Sequence, residues 1–410
     1  VDSTLTFGLV DSVLSKRFGN EACWRCFVPG RLEIFGKHTD YAGGRSLVAA
    51  VPRGFSVGVI PASDGSVVVI DALTGEEAEY PVGRLDDTVS EWRRYVATVV
   101  RRLHANYPDA DLSSRVVFAS DLPQAAGVSS SSALIIAIAE ALVARSGIEQ
   151  SEAWTTSVRT LEDRATYFAC IENGASFGML AGDRGVGTHG GSEDHAAILL
   201  SAAGELRQFS FCPLRLDRVM AMPPGWTFAV ASSGVTAQKS AGARDDYNRL
   251  AAAAAAIVSE WRERRPGDAR TLGDLVRAER ITSQDLSPHL RDRLEHFIAE
   301  DARAAEAAES FARGDIETIG RLADASQRDA ERLLRNQVAE TMDLVAIARA
   351  QGAAAASAFG AGWGGSVWAL VPEADAEEWL DRWLRAYRAR YPQHPSNGFV
   401  SAPSAGLLRL

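Results

Sequence analysis

The sequence predicts a two-domain α+β protein. Its 410 residues exceed the roughly 250–300 at which a single hydrophobic core stops growing. Strand-like and helix-like segments interleave with no tandem repeat and no low-complexity linker. Beyond residue 200 the pattern changes to short strands followed by long Ala-, Arg- and Glu-rich helices. A boundary near 205–220 is expected, giving an N-terminal domain over 1–210 and a C-terminal domain over 211–410.

The segments follow in order. A helix near residues 4–18 leads into a strand at 23–28, and "FSVGVIPASDGSVVVIDAL" reads as two paired strands joined by a Ser63-Asp64-Gly65 turn. In "DTVSEWRRYVATVVRRLHANY" Trp92, Tyr95, Val96, Val99, Val100 and Leu103 recur at helical spacing. The strand "SRVVFAS" precedes the polar segment "DLPQAAGVSSSS", which runs straight into the apolar helix "ALIIAIAEALVARSG". Further strands are expected at "GELRQFSF" and "WTFAVASS", then helices between about 243 and 352, interrupted by "RERRPGDARTLGDL" as a loop. "LAAAAAAIV" is helix, alanine being the best helix former. "SAFGAGWGGSVWALVP" is a glycine-rich turn feeding a strand, "DAEEWLDRWLRAYRARY" an amphipathic helix, and "SNGFVSAPSAGLLRL" a closing strand.

Composition bounds the function. With 46% hydrophobic and 23% charged residues the chain has ordinary globular usage. A net charge of -10 without a dense Lys/Arg run argues against a nucleic-acid or membrane-surface role. An anionic ligand must therefore be held by backbone and a few local cations. No apolar run approaches the roughly 20 residues that span a bilayer, and the first twenty residues lack a basic region followed by an apolar core and cleavage site. A cytoplasmic location is expected. Cys23, Cys26, Cys170 and Cys212 are too few for a disulfide scaffold, and "CWRC" lacks the second pair a zinc site would need, so the thiols are assigned structural roles.

Three segments carry chemistry. In "LPQAAGVSSSSALIIAIAEAL" free backbone N–H groups, the helix dipole and four hydroxyls converge on one helix start, which suits a phosphate. One serine would suffice to cap it; an over-capped helix is the alternative. It is not a GxxxxGK[ST] loop. "GVGTHGGSEDHAAILLS" places His189, Glu193, Asp194 and His195 on a glycine-rich turn. A carboxylate there with a cation nearby could orient a hydroxyl or accept its proton; a metal loop or a solvated turn fits the residues equally well. "FGAGWGGSVWAL" has glycines at 360, 362, 364 and 365, permitting close backbone approach to a ligand or a strand, or simply a tight turn.

In this order the segments resemble the signatures of the GHMP kinase superfamily, small-molecule kinases, and within it the galactokinases. "PGRLEIFGKHTDYAGG" is similar to PGRxNxIGEHTDYxxG, "LPQAAGVSSSSAL" to LPxGxGLSSSAxL, "GGSEDH" to CGxMDQ and "GAGWGGSV" to G[AG]GFGG. "WRRYV", "YNRLAAAA" and "FARGDIETIGRLADASQRD" extend the likeness over nearly the whole chain.

The resemblance implies an N-terminal ribosomal-protein-S5-like domain, a C-terminal ferredoxin-like domain and an active site in the cleft between them. It implies an ATP- and Mg2+-dependent sugar kinase acting on the anomeric hydroxyl of a monosaccharide, as a monomer or weak homodimer. The alternative is a non-catalytic homologue that senses ATP and sugar; retention of both Arg31 and Asp194 favours the enzyme. The implied catalytic residues are Asp194, which orients or deprotonates the attacking hydroxyl, and Arg31 beside it. Lys37, His38, Asp40, Gly191 and Tyr247 match sugar-binding positions. Gly127, Ser129, Ser130, Ser131 and Ser132 match the phosphate loop, with Ser131 as the magnesium-side hydroxyl, and Glu172 matches the metal-linked glutamate across some ten extra residues, "SFGMLAGDRG".

Departures from the signature concern specificity. Lys37 stands where the signature has a sugar-binding glutamate, replacing an acceptor by a donor at the expected pocket wall, where it could pair with Glu193 or meet a different substrate group. Lys37 is therefore expected to move specificity away from galactose. Glu193 and His195 are additions to CGxMDQ, and Ala125 replaces a phosphate-loop glycine.

Overall fold

The computed structural model describes residues 3–19, 24–83, 92–123, 127–235, 242–265 and 267–410; Ala125 and Cys23 lie outside them. The first half comprises α1 (Ser3–Phe18), β1 (Trp24–Phe35), β2 (Arg45–Pro61), β3 (Ser66–Asp71), β4 (Glu77–Pro81), α2 (Trp92–Asn106), β5 (Ser114–Ser120), α3 (Ser130–Ser146), α4 (Glu152–Ser157), α5 (Leu161–Asn173) and α6 (Glu193–Leu200). There follow β6 (Glu205–Ser210), β7 (Arg215–Ala221), β8 (Trp226–Ser232), α7 (Ala243–Arg264), α8 (Leu272–Arg277), α9 (Pro288–Arg313), α10 (Ile316–Asp329) and α11 (Ala339–Ala350). The chain closes with β9 (Ala355–Ala358), β10 (Ser366–Pro372), α12 (Ala376–Arg390), β11 (Gly398–Ser401) and β12 (Leu408–Arg409).

Two sheets organise the molecule. The first runs β12-β1-β2-β5-β3-β4, with β6 and β7 continuing from β2, and the second runs β11-β8-β10-β9. Apart from β12, the strands of the first sheet end by Ala221 and those of the second begin at Trp226. Apart from Glu140, α3 is apolar from Ala133 to Val143 and buried from Ser132 to Val143, as befits a helix enclosed by a sheet and other helices. That burial holds its N-terminus firmly against β1.

The expected β2–β3 hairpin does not form. Asp64 does organise the turn, accepting from the Ser66 amide and hydroxyl, but β5 lies between the two strands. It runs antiparallel to β2, with Phe118 opposite Val57, and parallel to β3, with Val116 opposite Val69. Val116, Val117, Phe118 and Ala119 are all buried. A strand apolar on both faces needs cover on both and pairs best at the centre of a sheet.

Two other expectations change. The loop over "RERRPGDARTLGDL" contains the start of α8, because Thr271 and Asp274 form a reciprocal capping box. The closing strand splits in two: β11 pairs with β8 in the second sheet, whereas β12 returns to β1 in the first, with Arg409 opposite Cys26. Cys26, Cys170 and Cys212 are free thiols, the first two buried and Cys212 exposed.

Arg409 on β12 and Arg164 on α5 both reach the fully buried Glu140 of α3, at 2.8 and 2.5 Å. Removing one partner of a buried ion pair costs about 3–5 kcal/mol. Arg164→Ala should therefore lower the urea midpoint clearly, whereas an unchanged midpoint would mean that Arg409 alone satisfies Glu140.

Candidate active site

The site assembles where β1, the start of α3 and the start of α6 meet. Gly30 lets β1 approach the phosphate loop, since a Cβ there would lie 2.7 Å from the Val128 carbonyl. The next residue, Arg31, donates its backbone N–H to that same carbonyl at 3.2 Å. Its side chain is buried: Nη1 donates to the Gly127 carbonyl at 2.5 Å and Nε to Asp194 Oδ1 at 2.7 Å. Ser132 Oγ donates to Asp194 Oδ2 at 3.2 Å, and Ser129 Oγ donates to the same oxygen. Burial opposes ionisation of Asp194, but Arg31 and Ser129 outweigh it and hold the carboxyl below its usual range. Asp194 is thus a carboxylate, fixed by three donors.

Ser129 adopts a left-handed conformation and does not cap α3 with its side chain. Its hydroxyl serves Asp194 instead, and the amides of the first helical turn, at Ser130, Ser131 and Ser132, have no intrahelical partner. The two serines expected in the phosphate loop, Ser131 (also expected as the magnesium-side hydroxyl) and Ser132, point in different directions. The Ser131 hydroxyl lies against the Tyr95 phenol, whereas Ser132 faces Asp194 and Glu172. The reason is helical phase: adjacent residues project about 100° apart, so only one of the two can face α5 and α6.

Glu172 reaches this place despite the extra residues after it. They form a closed excursion whose ends meet, the Val186 amide donating to the Glu172 carbonyl at 2.8 Å and the Asp183 amide to the Gly174 carbonyl at 2.9 Å. Burial, reinforced by Asp194, pushes the Glu172 carboxyl up to about 7. His195 Nε2 is 3.4 Å from Glu172 Oε2, and burial lowers this imidazole to about 4.

Of the expected sugar-binding residues, Asp40, Gly191 and Tyr247 gather near Asp194. Asp40 Oδ2 accepts the Glu193 amide at 3.2 Å, and Gly191 is required beside it, because a Cβ there would stand 2.3 Å from that oxygen. Burial raises Asp40 to about 6. The Tyr247 ring lies 5.2 Å from the His38 ring. Its neighbour Asn248 pins the preceding turn, accepting from the His189 amide and donating to the Gly187 carbonyl, both at 2.9 Å. A cavity of about 660 Å³ opens here, lined by Asp40, Tyr41, Asn173, His189, Gly190 and Gly191 among others.

Two residues depart from expectation. His38 was expected on sugar hydroxyls, yet both its ring nitrogens are engaged by protein, Nε2 by the Ala361 carbonyl at 3.0 Å and Nδ1 by Tyr41 OH at 2.9 Å. A carbonyl can only accept, so Nε2 carries the hydrogen and Nδ1 accepts from Tyr41. Burial, then the nearby Arg293, lowers the ring to about 3 and keeps it neutral. His38 therefore supports Tyr41 and Tyr247 and ties β1 to the glycine-rich 360–365 turn.

Lys37 does not line an open wall. It is 1% exposed, with Nζ donating to Ser326 Oγ at 2.8 Å and Ser357 Oγ at 3.0 Å. Ser326 in turn donates to Glu300 Oε1 at 2.9 Å, and the same oxygen accepts the Gly36 amide at 3.0 Å. Burial opposes ionisation of Glu300, but Lys37, His296 and Arg303 pull it down to about 2. Burial disfavours the Lys37 charge, while Glu300 and Glu33 support it. The lysine thus joins β1 to α9, α10 and β9.

Glu193 pairs with another group, and sequence reasoning missed it. Glu193 Oε2 accepts from Ser46 Oγ at 2.5 Å, and Oε1 lies 3.8 Å from Arg31 Nε. Glu193 also lies beside Glu33. Burial raises both carboxyls, and the Glu33 carboxylate makes the charge of Glu193 less favourable still. The available signal was Glu33 itself, charged where the signature PGRxN has asparagine.

Three family models match stretches of the chain. The description "GHMP kinases N terminal domain" fits residues 94–162, "GHMP kinases C terminal" fits 307–389, and "Galactokinase galactose-binding signature" fits 14–61. The chain belongs to the GHMP kinase superfamily. Among its relatives is a galactokinase of Roseiflexus sp., 27% identical over 88% of this chain and 86% of the relative. Another, from Exiguobacterium sibiricum, is 24% identical over 95% of both. The fold is that of Lactococcus lactis galactokinase complexed with galactose, with a TM-score of 0.80 at 20% identity over 100% of this chain and 99% of that one. The L. major mevalonate kinase in complex with R-mevalonate is more distant, at a TM-score of 0.57 and 16% identity over 93% of this chain and 96% of that one.

The residues of this GHMP kinase fit the nucleotide and metal its family implies. The start of α3 offers amides to an anion, and Glu172 Oε2 is a buried oxygen without a hydrogen-bond partner, the donor type a divalent ion takes. No helix among the described residues is long and apolar enough to cross a membrane.

Proposed function

We propose that the chain is an ATP-dependent sugar kinase that phosphorylates a monosaccharide at its anomeric hydroxyl. The observation that carries this reading is the Arg31–Asp194 pair at 2.7 Å, held by the serines of an anion-accepting helix start. ATP with Mg2+, when bound, supplies the γ-phosphoryl group.

The side chains do the rest by position and charge, which dominate phosphoryl transfer. Asp194 holds the attacking hydroxyl and takes its proton as the oxygen–phosphorus bond forms and ADP leaves. Its lowered affinity for protons makes it a weak base, adequate because an anomeric hydroxyl is more acidic than an ordinary alcohol. Arg31 compensates negative charge beside Asp194, and the first amides of α3 receive the phosphates. Asp40 and Tyr247 would line the acceptor. In this reading Ser132 and Glu172, rather than Ser131, face the cation.

The test is a coupled assay over aldoses, uronic acids and amino sugars, with the phosphorylated position read by NMR. No turnover with any sugar, or phosphorylation away from the anomeric carbon, would refute the assignment.

A pH limb follows from Asp40. Its carboxylate form, the one that accepts hydrogen bonds from a sugar, predominates above about 6. KM for the sugar should therefore fall as pH rises between about 5 and 7, with a smaller change in kcat. Asp40→Asn should abolish the limb; a limb that persists in this variant would belong to another group.

A further inference from the structure

His195 is a departure from the galactokinase signature with no role assigned above. It is 2% exposed, and neither of its ring nitrogens has a hydrogen-bond partner. Nor has Glu172 Oε2, 3.4 Å from His195 Nε2. Native structures rarely leave two facing polar atoms buried and unsatisfied. The carboxylate and the ring approach each other without the geometry of a hydrogen bond, so a simple Glu–His pair does not account for the arrangement. A shared cation does: bonds of about 2.1 Å to each atom would close over this span at an angle of about 108°.

Among the described residues no three His, Cys, Asp or Glu side chains converge on a metal position. A cation here would draw two ligands from the protein and the remainder from phosphate oxygens and water, the arrangement common for nucleotide-bound divalent ions. Ser132, at the start of α3, lies beside Glu172, so such an ion would border the phosphate loop. An imidazole nitrogen distinguishes between ions. Mg2+ prefers oxygen, whereas first-row transition ions accept nitrogen readily.

We propose that His195 Nε2 and Glu172 Oε2 jointly ligate the nucleotide-bound cation, and that the imidazole shifts this site from Mg2+ towards a transition ion such as Mn2+. The proposal rests on nucleotide binding at the Ser129–Ser132 loop but not on the identity of the sugar. Its test therefore contains no sugar: Mn2+ and a non-hydrolysable ATP analogue are bound to uniformly 15N-labelled protein and measured by pulsed EPR.

A 15N coupling to the Mn2+ is expected in the wild type and should vanish in His195→Gln, whose side chain matches the signature. The label separates the imidazole from the 14N of the adenine. In competition, the Mn2+-over-Mg2+ preference should fall about tenfold in His195→Gln. Bound Mn2+–nucleotide without 15N coupling in the wild type, or equal preferences in the two proteins, would overturn the proposal. If the nucleotide analogue binds with neither ion, the nucleotide site itself falls with it; absence of sugar turnover elsewhere would refute only the sugar assignment.

Discussion

Asp194→Asn is expected to fold and bind nucleotide but to lose about 10³-fold or more in kcat, the range for removal of a general base or key electrostatic group. The fold should survive because an asparagine oxygen can still accept from Arg31 Nε, now at 2.7 Å from the carboxylate, while the Ser129 and Ser132 hydroxyls can rotate to accept from the amide. What disappears is the negative charge. Arg31 would then face only the Glu33–Glu193 pair, with Glu193 Oε1 3.8 Å away, and no carboxylate would be positioned to take the hydroxyl proton. Steady-state kinetics beside a nucleotide-binding measurement separates the two effects. A variant within tenfold of the wild-type kcat, together with an inactive Glu193→Gln, would show that the catalytic carboxylate has been assigned one residue too late.

The local architecture of this site was legible because it depends on short-range chemistry. Serines before an apolar run mark a helix start, and α3 begins at Ser130. The pairing of Arg31 with Asp194 across 163 positions came from the family resemblance alone, since periodicity says nothing about which distant segments meet. The same limit explains the misplaced hairpin. A turn at Ser63–Gly65 predicts a reversal, but whether its strands pair depends on β5, which arrives some fifty residues later. Glu33 and Glu193 are each unremarkable in sequence and become neighbouring buried carboxyls only when β1 meets α6. Direction was the hardest feature to read: Lys37 occupies a pocket position in the motif, yet its four-carbon stem carries the ammonium into α10 and β9.

That direction reverses the expected consequence of changing Lys37. If its ammonium faced the sugar, Lys37→Glu would restore a galactokinase-like acceptor and improve galactose turnover. Within the observed network it would instead place a second carboxylate beside Glu300, which Lys37 and Arg303 hold ionised at about 2, in a region where Lys37 is 1% exposed. Lys37 supports Glu300 through the Ser326 hydroxyl, and replacing that buried cation by an unpaired like charge should cost about 3–5 kcal/mol or more. Lys37→Glu is therefore expected to melt well below the wild type or to accumulate insoluble. Lys37→Met with Glu300→Gln provides the control, because removing both charges together should cost clearly less than the sum of the single changes if the two residues interact. The folded double variant should rank sugars as the wild type does. Additive costs would dissolve the network, and a stable Lys37→Glu protein with raised kcat/KM for galactose would return the lysine to the pocket wall.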